Sequence, residues 1–474
     1  MKQPKHDLVL RIVKLLDVIA VTFLFAVVWM NFYAGMMYGK TFYRRGNWLV
    51  IFLFLFFFCM FGRTYDAFLV SLSSISAMIY SQGLSLFLSD FIMYFLILLL
   101  ARRAVNPLPL LGTFLLQLGA AVIWCILANH WYFRSFPPRR TAVIYDMRRG
   151  MEDLISEYGM TKKFEIVVNC SAKECVESDL KVLEGKDLEA VYLCGVHSHE
   201  RNKILKYCIE EGISVYVIPR VGDVLMSGAR QMHMYHLPMM RVDRYNPPPE
   251  FVITKRAFDI IASLIAIVIT SPIMLVTAIA VKTDGGPVFY RQTRLTKDGR
   301  EFKVLKFRSM RVDAEKDGVA RLSTGENDDR ITKTGRVIRK LRIDELPQLF
   351  NILSGDMSIV GPRPERPEIA AKYEEEMPEF RLRLQAKAGL TGLAQVYGKY
   401  NTSPYDKLQM DLMYIAAPGI LEDLKICFAT VKILFLPEST EGVAEGQVTA
   451  ADEAAGENGG SAADEDAGED TGSV

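Results

Sequence analysis

Seven cysteines, an odd number, are scattered along 474 residues, and no two stand at CxxC spacing. Cys59 and Cys125 fall in apolar stretches, and no histidine pair accompanies Cys170 and Cys175. No disulfide framework and no zinc site is therefore expected, which fits a reducing compartment. Histidine is scarce too: there are six, and His197, His199, His233 and His236 show no ligand spacing. No small-residue cleavage site follows the amino-terminal bases Lys2, Lys5, Arg11 and Lys14. The apolar run behind them therefore reads as an anchor rather than a cleaved leader. From Glu438 onward there are 11 acids, no Lys or Arg and no aromatic residue. A segment of that composition cannot bury enough apolar surface to fold and is expected to be disordered.

Without that acidic tail the formal net charge rises from +1 to +12. A basic body suits anionic lipid surfaces and phosphorylated substrates, although positive-inside topology accounts for part of the excess. No nucleic-acid partner is expected. Half of the residues are hydrophobic and the mean hydropathy is +0.15, high for a soluble protein. The apolar residues are clustered. Four runs, roughly 15–38, 47–62, 77–101 and 110–133, are long enough to span a ~30 Å hydrocarbon core. With the amino terminus inside, eight bases flank the inner ends and five the outer loops, which favours that orientation. Asp66 and Asp90 are expected near span ends in contact with water, which argues against a transporter.

Arg139-Arg140 opens a different pattern. Thr141–Tyr145, Phe164–Val168, Leu188–Leu193 and Ile213–Ile218 read as buried strands, with helical stretches such as 150–158 and 200–211 between them. That alternation predicts a parallel sheet with crossover helices, a Rossmann-like α/β domain. The nucleotide fingerprint GxGxxG is missing: Asp146-Met147-Arg148-Arg149-Gly150 follows the first strand. A spacer or oligomerisation module, by which subunits pair, fits better than a dinucleotide site.

Asn246-Pro247-Pro248-Pro249 is a stiff linker. It leads to a fifth apolar segment, Ile260 to Val281, interrupted at Ser271-Pro272 and flanked by Lys255, Arg256, Lys282, Arg291 and Arg294. Proline removes a backbone donor, and bases at both ends put both on the cytosolic face. A re-entrant helix that breaks at Ser271-Pro272 and returns satisfies both facts. The alternative, a kinked spanning helix, puts the α/β domain and the basic domain on opposite sides.

Residues 285–435 read as a compact α+β region. Val288–Arg294 and Phe302–Phe307 alternate like strands around a Lys297-Asp298-Gly299-Arg300 turn. Farther on, Asp344 and Glu345 stand side by side among Arg339, Lys340 and Arg342. The register Leu346, Leu349, Phe350, Leu353 marks an amphipathic helix with Asp344 at its N-cap, and capping alone explains an Asp there. It does not explain the bases. A helix N-terminus with adjacent bases suits phosphate, and an Asp in that place can act as a carboxylate nucleophile. Two adjacent carboxylates also suit a divalent metal, Mg²⁺ by its preference for carboxylate and phosphate oxygens. In Gly361-Pro362-Arg363-Pro364, Pro362 and Pro364 stiffen a loop whose Arg363 can grip phosphate oxygens. Lys303, Lys306 and Arg308 alternate with Phe302 and Phe307, so part of this basic set should share one strand face.

The chain thus reads as an integral membrane, multidomain protein. Residues 1–135 hold four transmembrane helices and 136–245 the Rossmann-like α/β domain. Residues 246–283 hold the linker and re-entrant membrane helix, 284–437 the compact α+β catalytic domain, and 438–474 the disordered acidic tail.

The stretches Lys255-Arg256-Ala257-Phe258-Asp259, Ser271-Pro272, Gly286-Pro287-Val288-Phe289, Lys306-Phe307-Arg308-Ser309-Met310, Asp344-Glu345-Leu346-Pro347-Gln348, Gly355-Asp356-Met357-Ser358 and Gly361-Pro362-Arg363-Pro364 together resemble the bacterial polyprenyl-phosphate hexose-1-phosphate transferases, the monotopic phosphoglycosyl transferases. Gly389-Leu390-Thr391-Gly392 and Tyr405-Asp406-Lys407-Leu408 extend the likeness to about residue 435. The preceding spans and α/β domain resemble the long form of that family, which starts exopolysaccharide, capsule and O-antigen pathways.

The resemblance implies that Asp344 takes a sugar 1-phosphate from a UDP-sugar, releasing UMP, and passes it to undecaprenyl phosphate. Glu345 would help place Mg²⁺ or move a proton, Arg339 and Arg363 would bind phosphate, and Ser271-Pro272 would seat the site at the membrane surface. The catalytic domain would face the cytoplasm at the bacterial inner membrane. The competing reading is a membrane scaffold or sensor with a ligand-binding α/β domain and a basic domain docked on membrane lipids; it needs no acid pair.

Overall fold

The computed structural model describes residues 3–37, 40–146, 148–283, 285–311, 330–398 and 402–434. The expected tail, 438–474, lies outside them. The chain divides into two compact units, Met1–Arg220 and Val221–Val474.

The first unit opens with long apolar helices: α1 (Gln3–Val28), α2 (Lys40–Thr64), α3 (Ile75–Ala101) and α4 (Leu108–Ser135). In lipid the apolar faces gain nothing by meeting each other, so packing and polar contacts hold such helices together. Trp29 Nε1 donates to Asn47 Oδ1 at 3.0 Å, Gln82 Nε2 to Asp17 Oδ2 at 2.9 Å and Trp124 Nε1 to the Val13 carbonyl at 3.0 Å. Asp90 departs from expectation. It sits in the middle of α3, 5% exposed, on the buried face that also carries Gln82, Leu86, Met93 and Ile97. Three- and four-residue spacing, not distance from a span end, decides its burial.

Strands β1 (Arg139–Tyr145), β2 (Phe164–Ser171), β3 (Ala190–Cys194) and β4 (Ser214–Ile218) form a parallel sheet in the order β2-β1-β3-β4. Helices α5 (Met151–Glu157), α6 (Ala172–Glu177) and α7 (Ser198–Glu210) lie between them in the chain. The α/β reading of this stretch therefore holds. Central β1 buries Thr141 to Ile144 without a break, as a strand covered on both faces must.

The second unit begins earlier than a boundary at 245 implies. Helix α8 (Val221–Ser227) buries Val221 and Val224 against Leu408, Leu412 and Ile415, far along the chain. The hairpin of β5 (Arg230–Met234) and β6 (Leu237–Arg241) follows. So short a helix has too few apolar residues for periodicity to assign its partner.

Helix α9 (Pro249–Lys282) has Pro272 inside it and is continuous, so the expected interruption does not end the helix. Pro272 has no N–H for the Val268 carbonyl four residues back. The Ser271 hydroxyl donates to that carbonyl instead, at 2.8 Å. Together with the first unit's helices, this makes five among the described residues long and apolar enough to cross a membrane, and the chain is a membrane protein.

Both ends of α9 pack on the same unit. Near its start, Arg256 donates to the carbonyls of Ile352 and Leu353 at 2.7 and 2.8 Å. Asp259 accepts from Ser358 Oγ at 3.1 Å and the Ile359 amide at 3.0 Å. Near its end, Met274 and Val281 share a core with Phe307 and Ile338. Between them Ile261, Leu264, Ile265, Val268, Ile269, Ile273 and Val276 are exposed.

The rest of the unit is a mixed α+β fold. Strands β7 (Phe289–Leu295) and β8 (Glu301–Phe307) pair antiparallel around a turn in which Asp298 and Gly299 have positive φ. Then come α10 (Lys333–Lys340), α11 (Gln348–Ser354), β9 (Ser358–Val360), α12 (Pro367–Glu376), β10 (Gly389–Thr391), α13 (Leu393–Tyr397), α14 (Pro404–Ala416) and α15 (Ile420–Leu434). β9 and β10 pair parallel.

Candidate active site

Asp344 is not the helix N-cap expected from the register of Leu346, Leu349 and Leu353. It lies in a 3-10 turn, Ile343–Glu345, and Pro347 caps α11. The turn exists because α10 stops at Lys340 and Arg342 takes a left-handed conformation, φ 51°, that redirects the chain. A non-glycine residue there carries strain, which such sites often store. The bend brings the acid pair in against β8.

Asp344 is 9% exposed. Burial and the neighbouring Glu345 charge push its carboxyl up, to about 6, against the pull of Lys306 and Arg339. Glu345 goes the other way. Burial opposes its ionisation, but Lys306, Arg363 and Arg342 outweigh burial and hold it below the usual range. Lys306 Nζ donates to Glu345 Oε1 at 2.8 Å, and Arg342 Nη1 stands 3.9 Å from Oε2. Two adjacent carboxyls with opposite shifts mark a site where one stays ionised and the other is poised.

Lys306 owes its place to Asn351. The Asn351 amide donates to the Lys303 carbonyl at 2.9 Å and accepts from the Leu305 amide at 2.9 Å. It thus completes the free edge of β8 and ties it to α11. The sequence carries no signal for this brace, because an asparagine in an amphipathic helix reads as its solvent side.

Of the basic set on β8 and just after it, Lys306 reaches the acid pair and Arg308 does not. Arg308 is buried, donating from Nε to the Pro287 carbonyl at 2.9 Å and from Nη2 to the Val281 carbonyl at 3.1 Å. It anchors the end of α9. Ser271 and Pro272 lie within α9, away from the acid pair in sequence.

Arg363 is exposed, while Gly361 and Pro362 beneath it are buried. The Gly361 amide donates to the Thr391 carbonyl at 2.9 Å, and the Gly389 amide to the Pro362 carbonyl at 2.8 Å. A Cβ on Gly361 would stand 2.2 Å from the Lys387 carbonyl oxygen, so only glycine fits. Gly361→Ala is expected to displace the loop and cut turnover roughly a hundredfold, the cost of misplacing a reacting group by about 1 Å. A kcat near wild type in a folded variant would rule this out. Pro364 accepts from Arg294 Nη1 at 3.2 Å.

Among the described residues, no three His, Cys, Asp or Glu side chains gather as a metal site. Two adjacent carboxyls beside bases still fit Mg²⁺, which commonly uses one or two carboxylates and takes its remaining oxygens from substrate phosphate and water.

An acid pair with opposite shifts, in the field of Lys306, Arg339, Arg342 and Arg363, has the charge to suit an anionic ligand in a membrane protein. Residues 250–437 match the family described as bacterial sugar transferase. The chain is 36% identical over 272 residues to a UDP-N-acetylgalactosamine-undecaprenyl-phosphate N-acetylgalactosaminephosphotransferase of Aeromonas hydrophila, covering 55% of this chain and 63% of that protein. It is 43% identical over 234 residues to a UDP-glucose:undecaprenyl-phosphate glucose-1-phosphate transferase of Klebsiella pneumoniae, 48% of this chain and 50% of that one. It is 42% identical over 192 residues to the exopolysaccharide production protein PSS of Rhizobium leguminosarum bv. phaseoli, 38% of this chain and 94% of that one. The chain thus spans between half and two thirds of the length of the first two relatives. It belongs to the bacterial sugar transferase family.

Proposed function

We propose that this protein transfers a hexose 1-phosphate from a UDP-sugar to undecaprenyl phosphate and releases UMP, the first membrane step of exopolysaccharide, capsule or O-antigen synthesis. The observation that carries this reading is Asp344, a buried carboxyl beside an ionised Glu345 within reach of four cationic charges.

An Asp344 carboxylate oxygen attacks the phosphorus that bears the sugar. The bridging P–O bond of the diphosphate breaks, and UMP leaves with that oxygen. A phosphate oxygen of undecaprenyl phosphate then attacks the same phosphorus, the acyl-phosphate P–O bond breaks, and Asp344 is regenerated as carboxylate. Arg339 and Arg363 hold the phosphates, and Lys306 keeps Glu345 ionised. Asp344 and Glu345 would hold Mg²⁺, which would supply charge neutralisation of the diphosphate.

Membrane placement follows the same logic. A straight 34-residue helix is about 51 Å long, well beyond a ~30 Å core. Contacts from both ends of α9 to one folded unit support a helix that enters and leaves the bilayer on the same face. Bases at both ends favour the cytoplasmic face of the inner membrane. The amino-terminal helices then contribute four spans.

The test is UMP release by the full chain in nanodiscs with Mg²⁺, undecaprenyl phosphate and a panel of UDP-hexoses. The relatives' names differ in the sugar, so the panel includes UDP-glucose, UDP-galactose and UDP-N-acetylhexosamines. One donor should give UMP and a lipid-linked sugar, and EDTA should abolish both until Mg²⁺ is restored. A folded protein that releases no UMP from any of them would favour the scaffold reading.

A further inference from the structure

The loop carrying Arg363 is gripped from behind by a buried ionic cluster that touches neither acid of the pair. Arg383, in the 3-10 segment Pro378–Gln385, is 4% exposed. Its Nη2 donates to the Arg363 carbonyl at 2.8 Å and lies 2.7 Å from Asp411 Oδ2; its Nη1 lies 3.6 Å from Glu365 Oε1. Asp411, on α14, is 1% exposed. The guanidinium also stands 4.8 Å from the Phe380 ring centroid. From β7, Arg294 takes the next carbonyl, that of Pro364, and faces Glu365 Oε2 at 3.8 Å.

Two consecutive loop carbonyls are therefore each held by a half-buried or buried arginine. Burying such charges is costly, and apolar side chains of like volume often serve stability as well or better. Burial pushes the Asp411 carboxyl up, to about 6, even beside Arg383. Stability alone does not account for the cluster.

Backbone geometry offers a purpose. The prolines fix φ at 362 and 364, and Pro364 restricts Arg363 to extended conformations. The remaining freedom is the tilt of the Arg363–Pro364 peptide, and its carbonyl is the group Arg383 holds. We propose that Arg383, with Asp411 as counter-ion, is a positioning residue that locks this peptide so that the Arg363 guanidinium meets phosphate at the acid pair. This rests on the reading of Arg363 as a phosphate ligand given above.

The test is a coupling measurement on the full chain in detergent, with inorganic pyrophosphate as the probe and calorimetry as the readout. Arg383→Met alone strands Asp411 and is expected to unfold. Arg383→Met with Asp411→Leu replaces the pair by apolar groups and is expected to melt no lower than wild type. That double variant should bind pyrophosphate roughly tenfold more weakly, as Arg363→Ala does, and adding Arg363→Ala should cost nothing more. Turnover in UMP release should follow the same pattern, with the loss in kcat.

Wild-type affinity in the folded double variant, additive losses, or an Arg363→Ala variant that binds as wild type would each overturn the proposal. If the double variant does not fold, Asp411→Asn reads the same coupling, with additivity again the overturning result. Pyrophosphate binding needs neither donor nor acceptor. Failure of the transferase reading would therefore show as absent UMP release while the coupling stayed measurable.

Discussion

Asp344→Asn is expected to abolish UMP release, by at least about a thousandfold, and to leave the fold intact. The two side chains have nearly the same shape. Asp344 is buried beside another carboxyl, and both burial and that neighbour disfavour its ionised form. Replacing it with a neutral amide removes that cost, so the melting temperature should hold or rise. What is lost is the anionic carboxylate, since the neutral amide oxygen that remains is too weak a nucleophile to attack phosphorus. The measurement pairs UMP release with a thermal melt of the same preparation. A folded Asn variant within tenfold of wild type would remove Asp344 from the mechanism.

Lys255→Met is expected to destabilise the protein strongly. Lys255 Nζ donates to Asp423 Oδ2 at 2.6 Å, the Val360 carbonyl at 3.0 Å and the Tyr414 hydroxyl at 3.1 Å, which uses all three of its protons. Asp423 is 2% exposed and also accepts from Tyr414 at 2.9 Å. Removing the lysine leaves that carboxylate buried and a strand carbonyl short of a donor, at a cost of about 3–5 kcal/mol. Val360 directly precedes Gly361, so the Arg363 loop should loosen as well. Lys255→Met with Asp423→Leu should recover most of the stability. Denaturation in detergent reads both; a loss below about 1 kcal/mol in the single variant would show that the pair is not a structural tie.

Local pattern carried much of the architecture. Short apolar runs placed β1 to β4, although β4, at the edge of the sheet, has no buried residue, and alternation about Lys297–Arg300 placed β7 and β8. The adjacent acids and nearby bases marked a candidate site, where the fold brings Lys306 and Arg342 to Glu345. Asp344 as a helix cap failed because Arg342 adopts a left-handed conformation that hydrophobic periodicity does not register. Arg308 resembled Lys306 by strand parity, but it follows the last residue of β8 and turns to the end of α9. Asp411 lies on α14 between Leu408 and Leu412, where a charged residue at a buried register position marks the need for a buried partner.

The sequence by itself determined the apolar helices, the parallel α/β sheet and the chemical character of the site, because periodicity and composition act over neighbouring residues. Only the tertiary structure decided which base meets which acid. Lys306 reaches Glu345 from 39 positions away, and Lys255 reaches Asp423 from 168. Whether a carboxyl is ionised depends on how much water the fold leaves around it and which charges the fold brings near. Neither quantity is periodic in the chain.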